Sequence, residues 1–118
     1  MDNAIAYFAL AAVAALLLWR NFGPDRRASF ATVRAKIEAG ARLIDVRTPS
    51  EFSGGSYPKA VNIPLDELPS RFDKLRPLDA PIVLFCASGA RSARAASLLK
   101  KAGFTDVTNG GGLSSMPR

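Results

Sequence analysis

Pro81-Ile82-Val83-Leu84-Phe85-Cys86-Ala87-Ser88-Gly89-Ala90-Arg91-Ser92 is the stretch that decides the fold. Its first five residues are continuous, apolar and partly β-branched, the pattern of a central parallel strand covered on both faces. A cysteine stands where that strand ends. Small and polar residues follow, then an arginine, then a helix over Ser92 to Ala102 with Ala95, Leu98, Leu99 and Ala102 on one side. Lys100 and Lys101 complement the negative end of that helix, and Gly103 suits the position just beyond it.

The flanking sequence alternates in the same way. Phe30 to Ala39 predicts a helix ended by Gly40, and Leu43-Ile44-Asp45-Val46 a short buried strand. Pro49 to Phe52 starts a helical turn that Gly54-Gly55 breaks. Val61-Asn62-Ile63 reads as a strand stopped by Pro64, and Leu65 to Leu75 as helical around Pro69. Thr105 to Thr108 reads as a last strand, with Asn109-Gly110-Gly111-Gly112 as a turn. The alternation predicts an α/β domain with a mostly parallel sheet.

The first twenty residues differ from the rest. Ala4 to Trp19 is an unbroken apolar run with no polar face, so it is not an amphipathic surface helix. A cleaved signal peptide would need a positive start and a small-x-small cleavage site. The chain instead begins Met1-Asp2-Asn3, and the run ends Leu16-Leu17-Leu18-Trp19-Arg20. The expectation is a transmembrane anchor over residues 1–20, meeting lipid through 4–19, with Tyr7 and Trp19 at the interfaces. A linker over 21–28 and the α/β domain over 29–118 follow. Arg20, Arg26 and Arg27 place that domain on the cytoplasmic side of a single-pass cell-membrane protein.

Composition narrows the chemistry. The chain has 118 residues, 48% of them hydrophobic, and 16 basic against 10 acidic residues for a net charge of +6. No basic run exceeds two residues and aromatics do not interleave with them, so nucleic acid is not the expected partner. There is one cysteine and no histidine. An internal disulfide, a Cys-His couple and a CxxC metal knuckle are all excluded. A lone cysteine is most often a buried structural residue. Here its place at the carboxyl end of the best strand, before a helix, favours chemistry. Loop amides and the helix N-terminus favour a thiolate or a bound anion there.

Several pieces together resemble a single-domain rhodanese over Phe30 to Met116. They are Leu43-Ile44-Asp45-Val46-Arg47-Thr48-Pro49-Ser50-Glu51-Phe52, Ala60-Val61-Asn62-Ile63-Pro64-Leu65, and Phe85-Cys86-Ala87-Ser88-Gly89-Ala90-Arg91-Ser92-Ala93. Gly103-Phe104-Thr105-Asp106-Val107 and Gly111-Gly112 complete them. The resemblance implies a five-stranded parallel sheet flanked by helices and a sulfurtransferase without cofactor or metal. Cys86 would carry the sulfur as a persulfide. Ala87, Ser88, Gly89, Ala90, Arg91 and Ser92 would form the loop that holds thiosulfate or polysulfide sulfur before it passes to a thiol or cyanide. Asp45, Arg47 and Glu51 resemble the family's structural charges near the site, with an Arg47–Glu51 pair expected at i, i+4.

Related cell-cycle phosphatases carry five residues between cysteine and arginine; here there are four, a ring suited to a sulfur atom. The alternative to turnover is a docking or sulfur-delivery module for a membrane partner. Two departures stand out. Gly55-Ser56-Tyr57-Pro58-Lys59-Ala60 replaces the family's Gly-His-Ile-Pro-Gly-Ala, and Met116 replaces a tryptophan near a missing terminal helix, an expected thin cover over one sheet face.

Overall fold

The computed structural model describes residues 3–22 and 26–118, with side chains described except at 19–22. A helix α1 (Ala4–Phe22) comes first, followed by α2 (Phe30–Glu38), β1 (Arg42–Asp45), α3 (Pro49–Ser53) and β2 (Val61–Asn62). A 3-10 helix (Leu65–Leu75), β3 (Ile82–Cys86), α4 (Ala90–Lys101), β4 (Val107–Gly112) and a short 3-10 turn (Leu113–Ser115) complete the chain. The sheet is parallel throughout, in the order β2-β1-β3-β4. The strand with the most continuous apolar sequence, β3, is therefore interior.

Strand alternation sorts the core into two layers. Ile82, Leu84 and Cys86 of β3 face α4 and the 3-10 helix, where they meet Leu68, Leu75, Ala95, Ala96 and Leu99. Val83 and Phe85 face α2 and meet Val33 and Met116. Met116 is only 4% exposed, so it covers the face expected to be thin. Local signals end the elements: Ser29 caps α2 by accepting from Thr32 N, and Thr48 and Glu51 form a reciprocal capping box on α3.

Two expectations are corrected, and a third finds no support. The sheet has four strands among the described residues, not five. At the outer edge of β4, Ala28 N donates to Asn109 O, but the segment turns into α2 at Phe30 before a strand forms. Second, Asn109-Gly110-Gly111-Gly112 is not a turn but the end of β4. Leu84 pairs with Asn109 while Phe85 pairs with Gly111, so Gly110 is an extra residue, a bulge.

The expectation for α1 is the one without support. No helix among the described residues is long and apolar enough to cross a membrane. Sixteen apolar residues at ~1.5 Å each rise about 24 Å, short of a ~30 Å hydrocarbon core. The transmembrane helix, the lipid contact through 4–19 and the single-pass location therefore find no support among the described residues. Instead α1 is a helix whose described side chains are all exposed, Ile5 and Phe8 each to 76%. The side chains of Trp19 and Arg20, and the Gly23-Pro24 part of the linker, lie outside the described residues.

No described side chain of α1 is buried or joins either core layer. Deleting residues 1–22 is expected to move the midpoint of thermal unfolding by less than about 4 °C, under ~1 kcal/mol for a domain of this size. Circular dichroism melts of the two proteins check this, and a larger fall would show that α1 packs on the domain.

Candidate active site

Strand β3 delivers Cys86 to the carboxyl edge of the sheet, fully buried at 0% exposure. The chain then folds back over the sulfur through Ala87, Ser88 and Gly89 and enters α4 at Ala90. Gly89 sits at the cap of α4 with φ +101, a left-handed conformation that glycine adopts without a Cβ penalty. The reversal aims donors inward. Gly89 N donates to Cys86 Sγ at 2.9 Å and Ser92 N at 3.4 Å, and Ser92 Oγ lies 3.4 Å from the sulfur. The N-terminus of α4 adds roughly half a positive charge at the same place.

Burial pushes the Cys86 thiol up. Hydrogen bonds from Ser92 Oγ and from the amides of Ser92, Gly89 and Ser88 outweigh it and hold the thiol below its ordinary value. Ser92 is itself held. Its hydroxyl reaches Asn109 Oδ1 at 2.7 Å and Gly89 O at 3.1 Å. Asn109 Oδ1 also accepts from Gly111 N at 2.9 Å, across the bulge of β4. With a thiol, the Cys86 S–H can donate to Ser92 Oγ while Ser92 donates to Asn109. With a thiolate, the Ser92 proton can turn to the sulfur. The glycines of β4 let the loop lie this close: a Cβ on Gly112 would stand 2.6 Å from Ala87 O.

Arg91 does not point an open charge into the loop. Its Nη1 and Nη2 donate to Glu51 Oε1 and Oε2 at 2.7 and 3.0 Å, a two-pronged pair joining α4 to α3. The expected Arg47–Glu51 pair is corrected accordingly. Glu51 sits at the third position of α3, where the capping box turns its carboxylate back toward Thr48 N. From there it faces Arg91. The Arg91 guanidinium, with help from Thr48 N, holds the Glu51 carboxyl down at about 2. The pair therefore favours the fold fully above the ordinary carboxyl range near ~4.3 and loses that effect as pH falls toward 2.

Arg47 pairs instead with Asp45, through Nε at 3.0 Å and Nη2 at 2.8 Å. Ser56 Oγ donates to Asp45 Oδ2 at 2.8 Å, and Arg47 Nη2 to Gly55 O at 2.7 Å. Asp45 is 0% exposed, and removing Arg47 would leave a buried charge unpaired, a loss of about 3–5 kcal/mol. This cluster ties β1 to the turn before β2 and makes no hydrogen bond to Cys86. Ser56 serves the turn through its hydroxyl. Asn109 and the Glu51–Arg91 pair were missing from the sequence reading. The Thr48-x-x-Glu51 spacing was a visible signal for the second; nothing local marked the first.

Two clefts border the loop. One, about 520 Å³, is lined by Thr48, Leu65, Arg91 and Arg94 among others. The other, about 1020 Å³, is lined by Glu51, Tyr57, Pro58 and Ala87 among others. The Arg91–Glu51 pair stands between them. Among the described residues no group of three or more acidic, cysteine or histidine side chains could hold a metal ion.

Residues 29–114 match the family described as Rhodanese-like domain. The chain belongs to that family. It is 48% identical over 69 residues to Bacillus subtilis YqhL, covering 58% of this chain and 54% of that protein, so it spans little more than half of that relative. It is 34% identical over 95 residues to the human thiosulfate:glutathione sulfurtransferase, covering 69% of this chain and 83% of the relative. A solved human single-domain sulfurtransferase superposes with a TM-score of 0.65 at 32% identity, over 75% of this chain and 92% of that one. The human relative and the human solved structure are each named a sulfurtransferase.

Within this rhodanese-like domain, Ser92 is the side chain that supports the thiolate. Ser92→Ala is expected to raise the pH at which Cys86 ionises. Losing one net hydrogen bond of about 0.5–1.5 kcal/mol lowers the thiolate fraction about two- to tenfold at a pH below the midpoint. Ultraviolet thiolate absorbance across a pH titration reads this directly. An unmoved midpoint would mean that the backbone amides alone set the ionisation.

Proposed function

We propose that this protein moves sulfane sulfur from thiosulfate or a polysulfide to a thiol, with cyanide as a substitute acceptor in assay, through a persulfide on Cys86. The observation that carries the reading is the convergence of Gly89 N, Ser92 N and Ser92 Oγ on one sulfur atom. The Cys86 thiolate attacks the outer sulfur of the donor and forms a new S–S bond. The donor S–S bond breaks, and its electron pair leaves with sulfite or with the shortened polysulfide. An acceptor thiolate then attacks the outer sulfur of the Cys86 persulfide, and Cys86 leaves as thiolate. The two half-reactions predict ping-pong kinetics. No cofactor is needed, because the nucleophile is supplied by a depressed thiol and the charge by fixed amide dipoles.

Ala87, Ser88 and Ala90 are the exposed members of the loop, so donors and acceptors meet the sulfur over them. Arg91 braces the loop through Glu51 in this reading and is a positioning residue. A non-turnover sulfur carrier would form the same persulfide but release it slowly, and the rate of the second half-reaction separates the two.

Cys86→Ser is expected to fold and to lose sulfur transfer completely. Mass spectrometry after incubation with thiosulfate should show one added sulfur atom on the native protein and none on the variant. Retained activity in the serine variant would sink the mechanism.

Inserting one glycine between Ser88 and Gly89 widens the ring and moves its amides off the sulfur. The loss of preorganised donors is expected to lower kcat/KM for thiosulfate by about 100-fold, comparable to removing an oxyanion donor. A folded insertion variant with unchanged kcat/KM would mean that loop length does not select sulfur over phosphate.

A further inference from the structure

The edge of the sheet opposite the loop's helix carries a groove that the sulfur chemistry does not use. It runs along β2, which is paired on one side only, and has a volume of about 790 Å³. Its floor is apolar, with Val61 57% exposed, beside Ile63 and Leu75. Four cations line it, Arg42, Lys59, Arg71 and Lys74, and no aspartate or glutamate does.

Little of that charge is compensated. Arg71 pairs with Glu67 at 3.3 Å. Arg42 donates to Lys74 O and Arg76 O, carbonyls that leave its charge intact. Lys59 and Lys74 are exposed, and their ammonium groups make no hydrogen bond or ion pair among the described residues. Lys59 also holds a left-handed backbone at φ 66, where a lysine gains nothing locally.

The groove is continuous with the site. Tyr57 and Pro58 line both this groove and the larger cleft that reaches Ala87 on the catalytic loop. Each of the two spaces is as large as a pocket for a drug-sized ligand, far more than thiosulfate fills.

We infer that the groove along β2 receives an extended, acidic segment of a protein partner, which passes over Tyr57 and Pro58 so that its own cysteine thiolate attacks the outer sulfur of the Cys86 persulfide and Cys86 leaves as thiolate. This rests on the sulfurtransferase reading and names the partner class for it. A one-sided edge strand offers main-chain pairing, the apolar floor takes alternate side chains, and the cations select acidic ones. A lipid surface does not fit a concave groove. Nucleic acid lacks a stacking platform, because the Tyr57 ring is packed edge-on against Phe85 at 6.2 Å between centroids. Lysines also guard edge strands against self-pairing, and guarding alone requires no ligand.

The test uses the full chain and a fluorescent peptide of alternating glutamate and valine ending in cysteine. Fluorescence anisotropy should show saturable binding that weakens with salt. A lysine–valine peptide should not bind. Lys59→Glu together with Lys74→Glu should weaken binding at least about tenfold, a difference of ~1.4 kcal/mol. The same double variant should transfer persulfide sulfur to the peptide cysteine at least about tenfold less efficiently, with transfer to dithiothreitol unchanged.

If that variant does not fold, Lys59→Gln and Lys74→Gln are read singly for the same direction. Equal binding by native and variant protein overturns the inference, as does displacement of the peptide by oligodeoxythymidylate or by phosphatidylglycerol vesicles. Absence of transfer to dithiothreitol in the native protein would instead overturn the sulfurtransferase reading, and the anisotropy result would still decide the groove.

Discussion

One buried sulfur atom must have its charge satisfied without a side-chain base, and the rest of the structure is arranged around that constraint. Cys86 is fully buried, which by itself disfavours a thiolate. The chain contains no histidine to take the proton. Stabilisation therefore comes from N–H and O–H groups fixed by the fold: Gly89 N, Ser92 N and Ser92 Oγ. Such donors act only if the loop is held closely in place, because a hydrogen bond weakens steeply with distance and angle.

Three supports hold it. The bulge at Gly110 shifts β4 by one residue, so that Asn109 meets Ser92 and Gly112 lies against Ala87 O. The Glu51–Arg91 pair fastens the first turn of α4 to α3 from the other side. The Asp45–Arg47–Ser56 cluster fixes the end of β1 and the turn that follows α3 and leads to β2. No buried side-chain nitrogen or oxygen among the described residues lacks a partner. A polar network of this kind is favourable when complete and costly when half-made, so it specifies one geometry for the loop.

The same logic accounts for the departures from the resembling family. Ser56 can stand in place of histidine because the position serves the Asp45 carboxylate, for which a hydroxyl suffices. Met116 can stand in place of a larger aromatic because a flexible thioether fills the gap over Val83 and Phe85. Lys59 in place of glycine has no such compensation in the turn itself. Its exposed charge beside the β2 groove is the feature that distinguishes that edge.

The order of elements, the interior place of β3 and the position of Cys86 at its end were determined by the sequence alone, because they depend on local pattern. A continuous apolar run buries on both faces, and small residues before a helix make an anion-binding turn. The charge pairing was decided by tertiary structure. Spacing at i, i+4 suggested Arg47 with Glu51, but their competitors lay two residues away in Asp45 and forty residues away in Arg91, and only the closed sheet sets those distances. Asn109 read as part of a glycine turn until the neighbouring strand drew it into β4, because glycines permit either conformation and strand pairing selects one. The first helix was legible as a helix from its apolar run, and the structure adds that its described side chains pack against neither core layer, which pattern alone does not show.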